Sequence, residues 1–179
     1  MLGQRNGYLI GPMGSGKTAV GRRLATLLGL QFVDSDAEIE KRTGVDIRYI
    51  FEKEGEPRFR DREREVIADL TGLADVVIAT GGGVVLDAAN RDRLAATGTV
   101  VYLETDLETL VQRTRSTKVR PLLVNEDPRT VFVRLMLVRR PLYEGLADVR
   151  VETTGRQVRA VATDIAQRLG QRVAKKSPS

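Results

Sequence analysis

Two periodicities alternate along the chain. Short apolar runs at Tyr8–Ile10, Gln31–Val33, Val76–Ala79, Val100–Leu103 and Val149–Val151 are brief enough to read as buried strands. Between them, apolar residues recur at helical spacing and predict helices near 17–28, 36–43, 46–53, 57–71, 88–96, 106–115, 128–138 and 157–170. In the last of these Val158, Val161, Ala162, Ile165 and Leu169 share one face, which suits packing on a sheet. Strands alternating with helices predict an α/β fold in three layers, with a parallel sheet between helices. One stretch breaks the alternation. Residues 116–127 have no clear period and contain a proline and two cations, so they read equally as a surface loop or as a lid over a ligand. Residues 174–179 read as a frayed tail, leaving one domain over about 1–173.

Composition narrows this picture. A chain of 179 residues fits one domain with a proper core, and no apolar run approaches the roughly 20 residues of a membrane span. Residues 1–7 carry one arginine and no hydrophobic segment, so no secretory signal is expected, and a cytoplasmic protein without membrane contact is the simplest reading. The absence of cysteine excludes disulfides, thiolate metal sites and cysteine nucleophiles. The absence of histidine passes any proton transfer to Asp, Glu, Lys or Tyr. Most of the cations behind the net charge of +5 are arginines, and these are scattered; with aromatics at 4%, that weighs against nucleic acid as the partner. Surplus arginine also suits an enzyme that handles a nucleotide and a small anionic substrate.

The candidate chemistry follows the strands, because ligands of open α/β sheets sit beyond the strands' carboxyl ends. After the first strand comes Gly11-Pro12-Met13-Gly14-Ser15-Gly16-Lys17-Thr18, the G-x-x-x-x-G-K-[ST] phosphate loop with strand and helix on the correct sides. Glycines at 11, 14 and 16 let the backbone wrap an anion, and the helix N-terminus adds partial positive charge. Lys17 can reach the β- and γ-phosphates, and Thr18 can offer its hydroxyl to Mg²⁺. After the second strand, Asp34-Ser35-Asp36 reads either as a helix N-cap or as a metal-bound carboxylate beside a base for an alcohol. After the third, Thr80-Gly81-Gly82-Gly83 reads as a tight connection or as bare backbone against an acceptor. Arg58, Arg60, Arg62 and Arg64 alternate with acids in what reads mostly as a solvated helix face, and spacing alone does not choose among them.

Together these elements resemble the shikimate kinases over nearly the whole chain, through the phosphate loop, Asp34-Ser35-Asp36, Gly55–Arg60, Thr80–Gly83, Val101–Glu104, Arg120–Leu123 and Arg139–Tyr143. The resemblance implies a P-loop fold with a five-stranded parallel sheet in the order 2-3-1-4-5. It implies substrate-binding helices over about 35–72 and a mobile lid over about 114–127. It also implies transfer of phosphate from ATP, with Mg²⁺, to the 3-hydroxyl of shikimate, by a chain that is expected to act as a monomer. Lys17, Asp36 and Arg120 are then the catalytic residues, with Asp36 as base or orienter and Arg120 on the transferring phosphate. Gly14, Ser15, Gly16, Lys17, Thr18, Ala19, Arg113, Arg120, Arg156 and Gln157 are expected around ATP. Asp36, Arg60, Gly81, Gly82, Gly83, Arg139, Phe51 and Phe59 are expected around shikimate, with Arg60 and Arg139 clamping its carboxylate. Thr18 would ligate the metal, and Asp34 would hold it through water. Arg140 beside Arg139 leaves the clamp resting on the spacing to Pro141 and Tyr143. The rival readings are a gluconate or nucleoside monophosphate kinase, and a non-catalytic nucleotide switch or nucleic-acid-binding protein.

Overall fold

The runs Gly7–Ile10 and Val76–Ala79 are buried at every position. A strand without polar alternation has protein on both faces, the condition of a parallel sheet between helical layers. The computed structural model describes residues 5–115 and 126–176. In chain order it comprises β1 (Gly7–Ile10), α1 (Lys17–Leu28), β2 (Gln31–Asp34), α2 (Ser35–Thr43), α3 (Ile47–Glu54), α4 (Glu56–Leu70) and β3 (Val76–Ala79). A short 3₁₀ turn (Val84–Leu86) leads to α5 (Ala88–Thr97), then β4 (Thr99–Glu104), α6 (Leu107–Arg115), α7 (Pro128–Leu146), β5 (Val149–Glu152) and α8 (Val158–Lys176). All four strand pairings are parallel, in the order β2-β3-β1-β4-β5 that the resemblance implies.

The period of two along the strands divides the core. Leu9, Val77 and Val101 face one layer, where Val20 and Leu24 of α1 meet Val161 and Ile165 of α8. Tyr8, Ile10, Ile78 and Val100 face the other, against Val66 and Ile67 of α4, Leu94 of α5 and Tyr143 of α7. Burying each such aliphatic side chain stabilises the fold by about 1.5–3 kcal/mol.

Two helices outrun their sequence pattern. The pattern near 128–138 ends before Pro141, a residue that normally breaks a helix, yet α7 continues through it to Leu146. Pro141 lies on the exposed side, while Arg139 and Tyr143 on either side of it are buried against the protein; tertiary packing overrides the breaker. Likewise α8 passes Gly170 and ends at Lys176, so the first three residues of the expected tail are helical, and 177–179 lie outside the described residues.

At the amino ends of the strands, opposite the loops considered below, Asn6 is buried and acts as a polar hub. Its Nδ2 donates to Leu73 O (2.8 Å) and to the Tyr8 hydroxyl (3.1 Å), and its Oδ1 accepts from Val76 N (3.3 Å). Asn6→Ala leaves a buried carbonyl and amide without partners. Urea unfolding should show a loss of about 2 kcal/mol, with no change in the chemistry at the far end of the sheet. A loss within experimental error would mean that water or backbone relaxation replaces the hub.

Candidate active site

The loop after β1 opens α1 on a bare N-terminus. Aspartates cap α2, α3, α5 and α7, through Asp34, Asp46, Asp87 and Asp127. By contrast α1 begins at Gly16 with no side-chain cap and no acidic residue in its first turn. Its partial positive charge is left for an anion from outside. Lys17 is buried and its Nζ donates to the carbonyls of Gly11 (2.7 Å) and Pro12 (2.8 Å), which holds the loop closed around its own cation.

The three residues after Val33 divide three tasks. β2 runs straight into α2, so Asp34 is both the last strand residue and the N-cap. Its Oδ1 accepts from the amides of Asp36 (2.9 Å) and Ala37 (3.1 Å), and its Oδ2 accepts from the Thr18 hydroxyl at 2.6 Å. The cap and the link to the phosphate loop coexist on one carboxylate. Ser35 is fully buried, and its hydroxyl accepts from Gly81 N at 3.1 Å. Asp36, on the first turn of α2, points its Oδ1 into protein with no hydrogen-bond partner among the described residues.

Asp36 meets the glycine loop there. A Cβ on Gly81 would lie 2.7 Å from Asp36 Oδ1 and 2.9 Å from Glu63 Oε2, so glycine is required for both carboxylates to close on this backbone. At Gly83 the same space is taken by the Arg60 guanidinium. Thr80 anchors the loop, its amide (3.1 Å) and hydroxyl (2.8 Å) both donating to Leu9 O of β1.

Arg60 and Glu63 lie one turn apart on α4 and pair at 2.9 Å, with Glu63 only 1% exposed. Its second oxygen, Oε2, has no partner among the described residues. Loss of solvation, followed by the charges of Glu63 and Asp34, raises the Asp36 pKa from 3.8 to about 7, against the pull of Lys17 and Arg60. Burial also raises Glu63, which Arg60 and Arg139 oppose. Phe51 and Phe59 pack with ring centroids 4.8 Å apart, and Arg60 lies 5.0 Å from the Phe59 centroid.

A cleft of about 460 Å³ gathers the phosphate loop from Gly14 to Ala19 with Asp34, Asp36, Gly82, Arg113 and Arg156. Arg113 donates to Gly14 O (2.9 Å), and Arg156 donates to Glu152 O (3.0 Å) and pairs with Asp164 (3.1 Å). Gln157 falls outside this lining, on an exposed groove beside Arg159 and Asp164. Arg139 is buried against Gly82, whereas Arg140 points outward and pairs with Glu144 at 2.9 Å. Arg120 and residues 116–125 of the expected lid lie outside the described residues.

The sequence reading missed Glu63 among the alternating charges of α4, and it gave no role to Ser35. A usable signal existed for Glu63: Phe59, Glu63, Val66, Ile67 and Leu70 fall at helical spacing on the buried face.

Because the strand order reverses at β1, the phosphate loop and the glycine loop open into one crevice at the strands' carboxyl ends. An anion cradle facing a desolvated carboxylate there defines a P-loop phosphotransferase with a small acceptor. Residues 13–170 match the family model described as shikimate kinase, and the chain belongs to that family. It is 53% identical over 171 residues to the shikimate kinase of Pseudoalteromonas atlantica, covering 96% of this chain and 100% of that one. It is 56% identical over 162 residues to that of Halorhodospira halophila, covering 90% and 92%. Among solved structures, the shikimate kinase from Acinetobacter baumannii in complex with shikimate superposes with a TM-score of 0.91 at 47% identity, over 98% of this chain and 96% of that one.

The raised pKa of Asp36 fixes the sign of a stability test. Between pH 3.8 and about 7 the folded chain keeps a proton that the unfolded chain has released. This contribution is complete below the lower value and is lost as pH rises through the upper one. Asp36→Asn should therefore melt higher than the parent at pH 8, by roughly 3–6 °C, and the gap should narrow at pH 5. A variant less stable at pH 8, or a gap that ignores pH, would show that the carboxylate is stabilised rather than strained.

Proposed function

We propose that this chain transfers the γ-phosphoryl group of ATP to the 3-hydroxyl of shikimate, giving shikimate 3-phosphate and ADP in the pathway to chorismate and the aromatic amino acids. One observation carries the reading: the loop after β3 is bare backbone that gathers Asp36, Arg60 and Arg139 beside the phosphate loop. Its two guanidiniums suit the forked recognition of a carboxylate, and its carboxylate suits a hydroxyl. Gluconate also offers a carboxylate and hydroxyls, so direct comparison of the two acids as acceptors separates the readings, while a nucleotide acceptor lacks the carboxylate.

On nucleotide binding, Lys17 exchanges the Gly11 and Pro12 carbonyls for phosphate oxygens, and the amides of Gly14–Ala19 complete the cradle. Arg113 and Arg156 flank the nucleoside end, with Gln157 at its edge. Thr18 and Asp34 place a hydroxyl and a carboxylate 2.6 Å apart, an oxygen-only pair that fits Mg²⁺, with Thr18 as direct ligand and Asp34 acting through water. Bound there, the ion would neutralise charge on the phosphates. Among the described residues no cluster of three or more acidic, His or Cys groups could hold a metal alone, which suits an ion that takes its remaining ligands from phosphate and water. Arg60 and Arg139 clamp the shikimate carboxylate over Gly82 and Gly83, while Phe51 and Phe59 wall the ring. Asp36 orients the 3-hydroxyl and accepts its proton as phosphorus bonds to that oxygen and the bond to the ADP oxygen breaks.

The chain acts as a monomer in the cytoplasm, apart from membranes and nucleic acid. Among the described residues no helix is long and apolar enough to cross a membrane.

Release of ADP from ATP with Mg²⁺ should depend on shikimate and should vanish in Lys17→Met. ATP bound without shikimate-dependent turnover would keep the phosphate loop and discard the acceptor. Arg60→Ala and Arg139→Ala should each raise KM for shikimate roughly ten- to a hundredfold while KM for ATP stays nearly unchanged. An effect confined to ATP would move that arginine to the nucleotide side.

A further inference from the structure

Gly82 sits at the junction of the two halves of the cleft. A Cβ built on it would lie 3.3 Å from Met13 N of the phosphate loop and 3.5 Å from Arg139 Nη1. Its carbonyl accepts a hydrogen bond from the hydroxyl of Tyr143, four residues after Arg139 on the same face of α7. Tyr143 is fully buried, and its ring stacks on Tyr102 of β4 with centroids 5.1 Å apart. Burial pushes its phenol upward, so the hydroxyl remains a donor.

We infer that Tyr143 is a positioning residue for the acceptor half of the site, holding the Gly82–Gly83 peptide and the Arg139 guanidinium in one fixed relation. The peptide is planar and trans, so a carbonyl held on Tyr143 sends the Gly83 N–H in the opposite direction. Among the described residues neither the Gly82 nor the Gly83 amide makes a hydrogen bond, so both remain free to serve a ligand. The ring alone does not explain the residue. Phenylalanine would fill the same apolar space without burying a hydroxyl, and that hydroxyl is bonded to the Gly82 carbonyl, in the loop between β3 and the 3₁₀ turn. Arg139 sits beside the same phenol, so one turn of α7 fixes both the loop and the charge that rests on it.

This inference rests on the reading of the cleft as a shikimate site, and Tyr143→Phe isolates it. The variant keeps the stacked ring and removes only the donor. Shikimate KM should rise about five- to tenfold, with ATP KM unchanged within about twofold. Amide hydrogen exchange across residues 80–86 should quicken in the ligand-free protein, a readout independent of turnover. Tyr102→Phe, which removes a hydroxyl that does not touch the loop, should leave both KM values and the exchange unaltered. Three results would overturn the inference: unchanged shikimate KM, equal rises in both KM values, or unaltered exchange across 80–86. A parent protein blind to shikimate would instead overturn the underlying reading of the acceptor.

Discussion

Two carboxylate oxygens buried without partners against one glycine are the constraint on which the acceptor site depends. Asp36 Oδ1 and Glu63 Oε2 both close on Gly81. Withdrawing charge from water costs several kcal/mol unless it is matched, and Arg60 matches only one side of Glu63. A fold tolerates such an arrangement when the surrounding structure over-determines it. Here α2 is pinned by the Asp34 cap, the loop is pinned by Ser35 and Thr80, and α4 delivers Arg60 and Glu63 from one turn. Under the proposed function, the hydroxyls of the acceptor would meet these oxygens.

The sheet explains why these parts can meet. Its parallel strands send every strand-to-helix loop to one end, and the reversal at β1 leaves a crevice with β3 on one side and β4 on the other. Loops after β1, β2 and β3 then bring the phosphate loop, Asp34 and Asp36, and Gly81–Gly83 together from positions far apart in sequence. The long helix α7 contributes from the side, with Arg139 and Tyr143 turned inward and Arg140 outward. The same geometry places the structural hub at Asn6 at the opposite end, so stability and chemistry are spatially separated.

Much of this was legible in the residues. The strands declared themselves as apolar runs, and the phosphate loop by glycines, lysine and threonine in fixed spacing between a strand and a helix. Order in the sheet was not legible from pattern, because any permutation buries the same runs; it came with the family resemblance. The choice between cap and metal carboxylate at Asp34 could not be made from sequence, since a carboxylate has two oxygens: one takes the cap and the other accepts from the Thr18 hydroxyl. Glu63 was hidden because alternating charge normally marks solvent, and only its place in the period of Phe59, Val66 and Leu70 separates it from Arg62 and Arg64. Helix α7 was read short because a proline outweighs propensity locally, while the burial of Arg139 and Tyr143 is a tertiary fact.

A chain with no histidine lacks the usual side chain that titrates near neutrality. Burial, together with the charges of Glu63 and Asp34, brings Asp36 to about 7, into that same range. An aspartate at its ordinary value would be ionised at working pH but a feeble acceptor of an alcohol proton. One shifted to near 7 is still substantially ionised and a stronger base, the balance that proton transfer favours. Under the proposed transfer, in which Asp36 takes the hydroxyl proton, this moderate strength suffices, because phosphoryl transfer asks little of its base until the new bond to phosphorus has begun to form. Glu63 therefore has two physical effects that follow from its position alone. One oxygen holds Arg60, and its charge lifts Asp36. A single buried acid, placed by the helical period among apolar neighbours, couples the position of Arg60 to the basicity of Asp36.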